Sequence, residues 1–365
     1  MADSSKLTEY FASTSLPGPV EIRIRRQKNF FAQYELQSDD YVTFFLEDEQ
    51  TQEVKGLASL VFRKGWIQGQ ETTIGFGTDL RISSSRKAIL QWSQLFLPAF
   101  EKELEKRNCK YVFSILGKQQ RQAYNTFIRP RSRKRQLPRY YLYKRFHVVG
   151  LHGLFPFAPP PLPHIEVRPV QKEEHEKLLH YLLVMKHKKH FFFENSIEDI
   201  LNQIHRWPGL KLDQFIVAID PDKNIIGCVC PWSPHYTQII EPVSYGPLAQ
   251  RLYETLQFLS ILRIGRRLPK VHEPFYFKHL THLYANNPDI FYSLLYFTFK
   301  QATTSKEFLV YPQFAGDLIA LPPRPFISSK IQAGLYSILP PNMAPPHFLM
   351  PTPFLEPPDF EFAFF

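Results

Sequence analysis

The sequence predicts an α/β protein of two domains, each a mixed, mostly antiparallel sheet with flanking helices. Three observations carry this expectation. The chain has 365 residues, which is long for one core. A proline-rich break divides it near its middle. The order of elements before the break returns, loosely, after it. Hydrophobic residues make up 44% of the chain and charged residues 21%, the balance of a globular protein and not of a disordered one.

The first half reads in order. "VEIRIRR" from Val20 alternates apolar and charged residues, the period of a half-buried strand. "YVTFFLED" follows as a second strand, then "EVKGLASLVFRKGWI" and "ETTIGFGTDLRI" across a turn. The period then becomes helical, with Ile89, Trp92, Leu95, Phe96 and Phe100 predicted to face inward. "KYVFSIL" is again a strand, "KQQRQAYNTFI" a helix, and "PRYYLYKRFHVVGLH" a strand.

The break is "GLFPFAPPPLPHI", Gly153 to Ile165. Its five prolines favour a stiff extended connector over a helix or central strand. The expected organisation is a first domain over 1–155, a linker over 156–164, a second domain over 165–340 and a strap over 341–365. The strap is rich in Pro and Phe, and is expected to lie over apolar surface of the body. In the second domain "IEVRPV" is a strand, and "EEHEKLLHYLLVMKHKK" and "SIEDILNQIHRW" are helices. "DQFIVAID" and "NIIGCVCPW" form a hairpin around the turn sequence "PDKN". "PFYFKHLTHLYA" is a strand, "DIFYSLLYFTFKQATT" a helix with Ile290, Leu294 and Phe297 inward, and "EFLVYPQF" the closing strand. This is an internal duplication with little residue identity.

Three cysteines, Cys109, Cys228 and Cys230, are too few for a disulfide framework. The Cys-Val-Cys pair has no second pair to complete a zinc site, so no metal is expected. Cys228 and Cys230 share a strand face and read as core. No apolar stretch is long enough to span a bilayer, and the N-terminus has no basic leader before an apolar run. No membrane partner and a cytoplasmic location are expected. The net charge of +10 is uneven: residues 1–150 hold 25 Lys+Arg against 15 Asp+Glu, and the rest is balanced. The first half is therefore expected to meet an anion, whether a phosphorylated cofactor, nucleic acid or anionic lipid.

Residues 21–146 resemble an N-acetyltransferase domain of the GNAT superfamily. The resemblance rests on "GLASLVFRKGWIQGQETTIGFGTDLRIS", the helix after it, "KYVFSIL", and a helix containing Ala123. Residues 165–338 resemble the second such domain of bacterial tandem acetyltransferase-like proteins, through "FIVAID…NIIGCVCPWSPHYTQII" and "FLVYPQFAGDLIALPPRPF". The resemblance implies two tandem acyl-CoA N-acyltransferase (GNAT-like) domains, acetyl-CoA as co-substrate, and transfer of an acetyl group to a small-molecule or peptide amine. It also places the cofactor. Leu80, Arg81 and Ile82 hold the strand positions that face the pantetheine arm. Ser83, Ser84, Ser85, Arg86, Lys87 and Ala88 form the corner that meets the diphosphate. Elementary physics agrees: unpaired amides and the dipole at a helix start favour an anion, and Arg and Lys add charge-assisted bonds. The corner departs from the family pattern in having no glycine.

For catalysis, the resemblance points to a tyrosine in the helix after "KYVFSIL". Phe127 stands at that position, and Tyr124 lies one turn earlier as the substitute acid. Asp79, just before the strand motif, is the candidate base. The second domain has neither a glycine loop nor a basic pair after "HLTHLYA" and reads as a structural wall, with Asn286 and Asn287 as helix caps. Two alternatives stand beside the transferase. One is a catalytically degenerate ligand-binding or interaction protein. The other is nucleic-acid binding through Arg129–Arg145, which has eight basic residues, three tyrosines and no acid.

Overall fold

The computed structural model describes residues 4–27, 29–118, 137–302, 307–341, 343–345 and 357–364. Two sheets carry the architecture. The small one joins β1 (Ser15–Leu16), β2 (Val20–Arg26) and β12 (Gln238–Tyr245), all antiparallel. The large one is 12-stranded. Its members are β3 (Tyr41–Glu47), β4 (Val54–Ile67), β5 (Gln70–Ile82), β6 (Tyr111–Gly117), β7 (Arg139–Leu154), β8 (Glu166–Pro169), β9 (Phe191–Phe192), β10 (Ile216–Ile219), β11 (Ile225–Trp232), β13 (Phe277–Ala285), β14 (Phe308–Phe314) and β15 (Phe326–Leu339). Its order is β3-β4-β5-β6-β15-β7-β14-β13-β11-β10-β8, with β9 pairing at the end of β4. All pairs are antiparallel except β5 with β6 and β13 with β14.

The two halves exchange strands. β7 precedes the proline-rich connector yet pairs with β14, and β15 follows it yet pairs with β6 and β7. β2 likewise pairs with β12 across the halves. The connector itself is irregular over 155–165.

The duplication is visible residue by residue. β5 pairs with β6 from Ile74–Tyr111 to Gly77–Ser114, and then the two part. β13 pairs with β14 from Phe277–Phe308 to His279–Val310, and then they part. Each splayed strand carries a bulge against its neighbour, between Leu57 and Ser59 opposite β5 and between Cys228 and Cys230 opposite β13. The bulged residues Asp79 and His282 both have positive φ, 57° and 50°. A glycine lies beside each bulge, Gly56 opposite Ile82 and Gly227 opposite Ala285. A helix follows each strand, Arg86–Lys106 and Pro288–Gln301, and packs onto that glycine. A Cβ on Gly56 would lie 2.8 Å from Trp92, and one on Gly227 2.7 Å from Ile290 and 3.0 Å from Leu294. Trp92 and Leu294 are both the seventh residue of their helix.

The helix Arg86–Lys106 does not present the expected stripe. Ala88, Trp92, Leu97 and Phe100 are buried and Phe96 is half-buried, while Leu95 is 61% exposed and Ile89 is also exposed. The opening at Gly56 receives Trp92, and this sets the rotation of the helix. In the helix Pro288–Gln301, Ile290 and Leu294 are buried as expected and Phe297 is only half-buried. Cys228 and Cys230 are fully buried, and burial pushes both thiols up. No helix among the described residues is long and apolar enough to cross a membrane.

Candidate acyl-CoA corner and the paired second cleft

Where β5 leaves β6 it continues along β4 through Thr78, Arg81 and Ile82, with Asp79 and Leu80 in the bulge between them. The chain then turns through Ser83–Ser85 into the helix. Ser85 is the N-cap: its hydroxyl accepts from the Ala88 amide at 3.2 Å. The Ser83 amide bonds the Lys55 carbonyl, and the Ser85 amide reaches Ser83 Oγ at 3.4 Å. The amides of Ser84, Arg86 and Lys87 have no acceptor among the described residues. Ser84, Ser85, Arg86 and Lys87 are exposed. Lys87 pairs with Asp48 at 3.1 Å, while the Arg86 guanidinium has no partner among the described residues. A parted strand, a helix start with free amides and an unpaired arginine thus meet at one corner. Its residues fit a diphosphate.

Asp79 sits on the bulge, on the far side of the strand edge from that helix. Its Oδ2 accepts from Arg26 Nη2 at 2.5 Å and from the Tyr34 hydroxyl at 2.7 Å. Oδ1 accepts no hydrogen bond among the described residues. Arg26 is further held by Gln238 at 2.9 Å, so the small inter-half sheet braces the bulge. Tyr34 is fully buried, and burial, then Asp79, pushes its hydroxyl far up, so it stays a donor. Tyr124 lies outside the described residues, as do Phe127 and the first part of the basic segment, 129–136.

The second cleft differs in both respects that matter. The Asn287 side chain accepts from the amides of Asp289 and Ile290 at 3.0 and 2.9 Å, and Pro288 has no amide hydrogen to offer. This corner is closed to an anion. The space between β13 and β14 forms a cavity of about 440 Å³, lined by His279, His282, Tyr284 and the C-terminal segment 357–363. That segment is no surface strap over its described length. Asp359 pairs with Lys186 at 2.7 Å and accepts from Tyr284 at 3.2 Å. Lys186 also pairs with Glu194 at 2.6 Å; Arg63 then joins Glu194 at 2.8 Å to Glu361 at 2.5 Å. Burial raises the Glu361 carboxyl to about 7. The sequence shows these charges as five scattered residues; only their near-total burial signals the network. His279 and His282, which share no strand face in a regular ladder, are both held neutral by burial, to about 3.

The sequence matches no family model and no curated protein. Solved structures do match. Saccharomyces cerevisiae N-myristoyltransferase with bound myristoyl-CoA aligns over 91% of this chain and 79% of its own, at 11% identity and a TM-score of 0.53. The same enzyme with bound myristoyl-CoA and inhibitors aligns over 92% and 77%, at 9% identity and 0.52. The chain has the fold of N-myristoyltransferase. The parted parallel pair, the bulge and the following helix are each present twice in this fold. A GCN5-related N-acetyltransferase from Sphaerobacter thermophilus aligns over 79% of this chain and 77% of its own, at 10% identity and 0.45.

Proposed function

We propose that the protein is an acyl-CoA-dependent N-acyltransferase, working through a ternary complex, with its chemistry in the first half of the chain and acetyl-CoA as its simplest donor. The observation that carries this reading is the corner after Ile82: free amides of Ser84, Arg86 and Lys87 beside Arg86, whose guanidinium has no partner among the described residues, at the end of β5 beyond its separation from β6 at Gly77. The donor supplies an activated thioester. Leu80, Arg81 and Ile82 offer strand backbone to its pantetheine arm, Ser83–Lys87 hold the diphosphate, and Ala88 packs the first turn. The acceptor is a small-molecule or peptide amine. Its nitrogen attacks the acyl carbon, the C–S bond breaks, and the thiolate takes up a proton. Asp79 Oδ1 takes the proton that the amine loses, while Arg26 and Tyr34 hold the other oxygen. Tyr124 is the acid for the thiolate.

The test is calorimetric titration of acetyl-CoA into the protein and into Arg86→Ala/Lys87→Ala. Saturable binding that weakens at least about tenfold in the double variant is expected, as two charge-assisted bonds to phosphate are lost. Silence in the wild type would sink the reading. It would leave the catalytically degenerate ligand-binding protein, which the glycine-free corner "SSSRKA" favours.

A further inference from the structure

The duplication places Arg81 and Tyr284 at the same position. Arg81 pairs with Leu57, the residue after Gly56, and Tyr284 pairs with Cys228, the residue after Gly227. Both therefore face away from the helix that follows their strand. In the second half, the Tyr284 hydroxyl finds a carboxylate there, that of Asp359. In the first half no such group arrives. Arg81 is only 7% exposed, and it has no hydrogen-bond or ion-pair partner among the described residues. Its Nε is sealed from solvent without an acceptor. The guanidinium lies over the Phe11 ring at 4.2 Å, and the Arg26 guanidinium approaches the same ring at 5.0 Å.

The titratable groups around Arg81 are Asp79, Arg26, Tyr34 and Tyr10. Burial keeps both tyrosines neutral. Two guanidiniums thus share a single carboxylate, and Arg26 is the one ion-paired with it. Burial pulls the Arg81 pKa down, and Asp79 offsets this only in part. A buried charge without a partner is costly, and folded chains keep one chiefly where a ligand completes it.

We propose that Arg81 is the anion-binding residue of the acceptor site, and that the acceptor is an amine carrying a carboxylate or phosphate group close to its nitrogen. The anion sits on the Arg81 fork, on the side of the helix Ser4–Ser13, with the amine beside Asp79 Oδ1. This assignment rests on the transferase reading for the amine. The anion seat itself stands on the unpaired guanidinium alone.

The probes are inorganic phosphate and succinate, each titrated against the full chain at constant ionic strength and followed by thermal unfolding. A saturable rise in Tm of about 3 °C or more above a chloride control is expected, by linkage of binding to folding. The more effective probe identifies the anion as phosphate or carboxylate. With the diphosphate corner filled by saturating acetyl-CoA, the rise should persist in the wild type, vanish in Arg81→Met and fall in part in Arg81→Lys; without acetyl-CoA it should persist in Arg86→Ala/Lys87→Ala. The assignment is overturned by the absence of a rise in the wild type, or by an undiminished rise in Arg81→Met. Should Arg81→Met not fold, an undiminished rise in Arg81→Lys overturns it. Loss of the rise under acetyl-CoA also overturns it, since the guanidinium would then serve a phosphate of the co-substrate. Calorimetric silence toward acetyl-CoA with the anion effect intact would strike the transferase reading and spare the anion seat.

Discussion

Replacing Lys186 by Met tests how the C-terminal segment is held. Lys186 is 1% exposed, and its ammonium bridges Glu194 at 2.6 Å and Asp359 at 2.7 Å. Burial works against its charge, yet Asp359 and Glu194 outweigh it and hold its pKa far above the ordinary lysine value. Methionine fills nearly the same volume, so little cavity arises and the loss is electrostatic. Glu194 keeps Arg63 at 2.8 Å, but Asp359 is left with the Tyr284 hydroxyl at 3.2 Å as its remaining hydrogen-bond donor among the described residues. Breaking a buried pair from one side costs about 3–5 kcal/mol. Because Glu194 retains a cation, the lower end, about 3 kcal/mol, is expected. Urea unfolding at pH 7 measures it, and limited proteolysis reports whether 357–363 leaves the β13/β14 cleft. Lys186→Met/Asp359→Asn should recover most of the loss, since it removes the stranded charge along with its partner. A Lys186→Met cost below about 1 kcal/mol, or strict additivity in the double variant, would refute the view that this ion pair seats the segment.

Gly56→Ala and Gly227→Ala should each lower stability by about 1–3 kcal/mol in urea unfolding, because the new methyl meets Trp92 at 2.8 Å or Ile290 at 2.7 Å. Ser85→Ala should cost about 1 kcal/mol by freeing the Ala88 amide. Stability should fall in acid. Burial holds His152 near 4 and His279 and His282 near 3, so the unfolded chain binds up to three more protons there as pH drops below the ordinary histidine value near 6.5. Glu361 opposes this. Its folded pKa of about 7 exceeds the unfolded value of 4.5, so its contribution is full below 4.5 and is lost as pH rises through 7. Between pH 5 and 6 these four groups should make stability rise with pH by about 2–3 kcal/mol per unit, and by about 1 more in Glu361→Gln, with His190 and His235, which burial also lowers, acting in the same direction. A slope unchanged by that substitution would contradict the assignment of the proton to Glu361.

Much of the fold was legible in the chain. Strand periodicity in "EVKGLASLVFRKGWI" and "ETTIGFGTDLRI" matches β4 and β5, and the helix start at Arg86 agrees with its Ser cap. The rotation of that helix was not legible, because Ile89 and Leu95 are as apolar as Leu97. What decides among them is the space above Gly56, which belongs to another strand. Of the candidate site, the basic corner could be read locally. The surroundings of Asp79 and Arg81 could not, because Arg26, Tyr34 and Phe11 come from β2, the short helix Ala32–Glu35 and the helix Ser4–Ser13.

What the sequence determined by itself was therefore everything that depends on neighbours in the chain: the periods of strands and helices, the caps, the turn at "PDKN", the stiff connector and the repeated order of elements. Only the tertiary structure decided which strands pair between the halves, that 357–363 enters the second cleft, and that Arg81 is left without an ion-pair partner among the described residues. The physical reason is range. Backbone preference and capping act over a few residues, whereas burial and ion pairing depend on groups such as Lys186 and Asp359, 173 positions apart, that meet only once the sheet has closed.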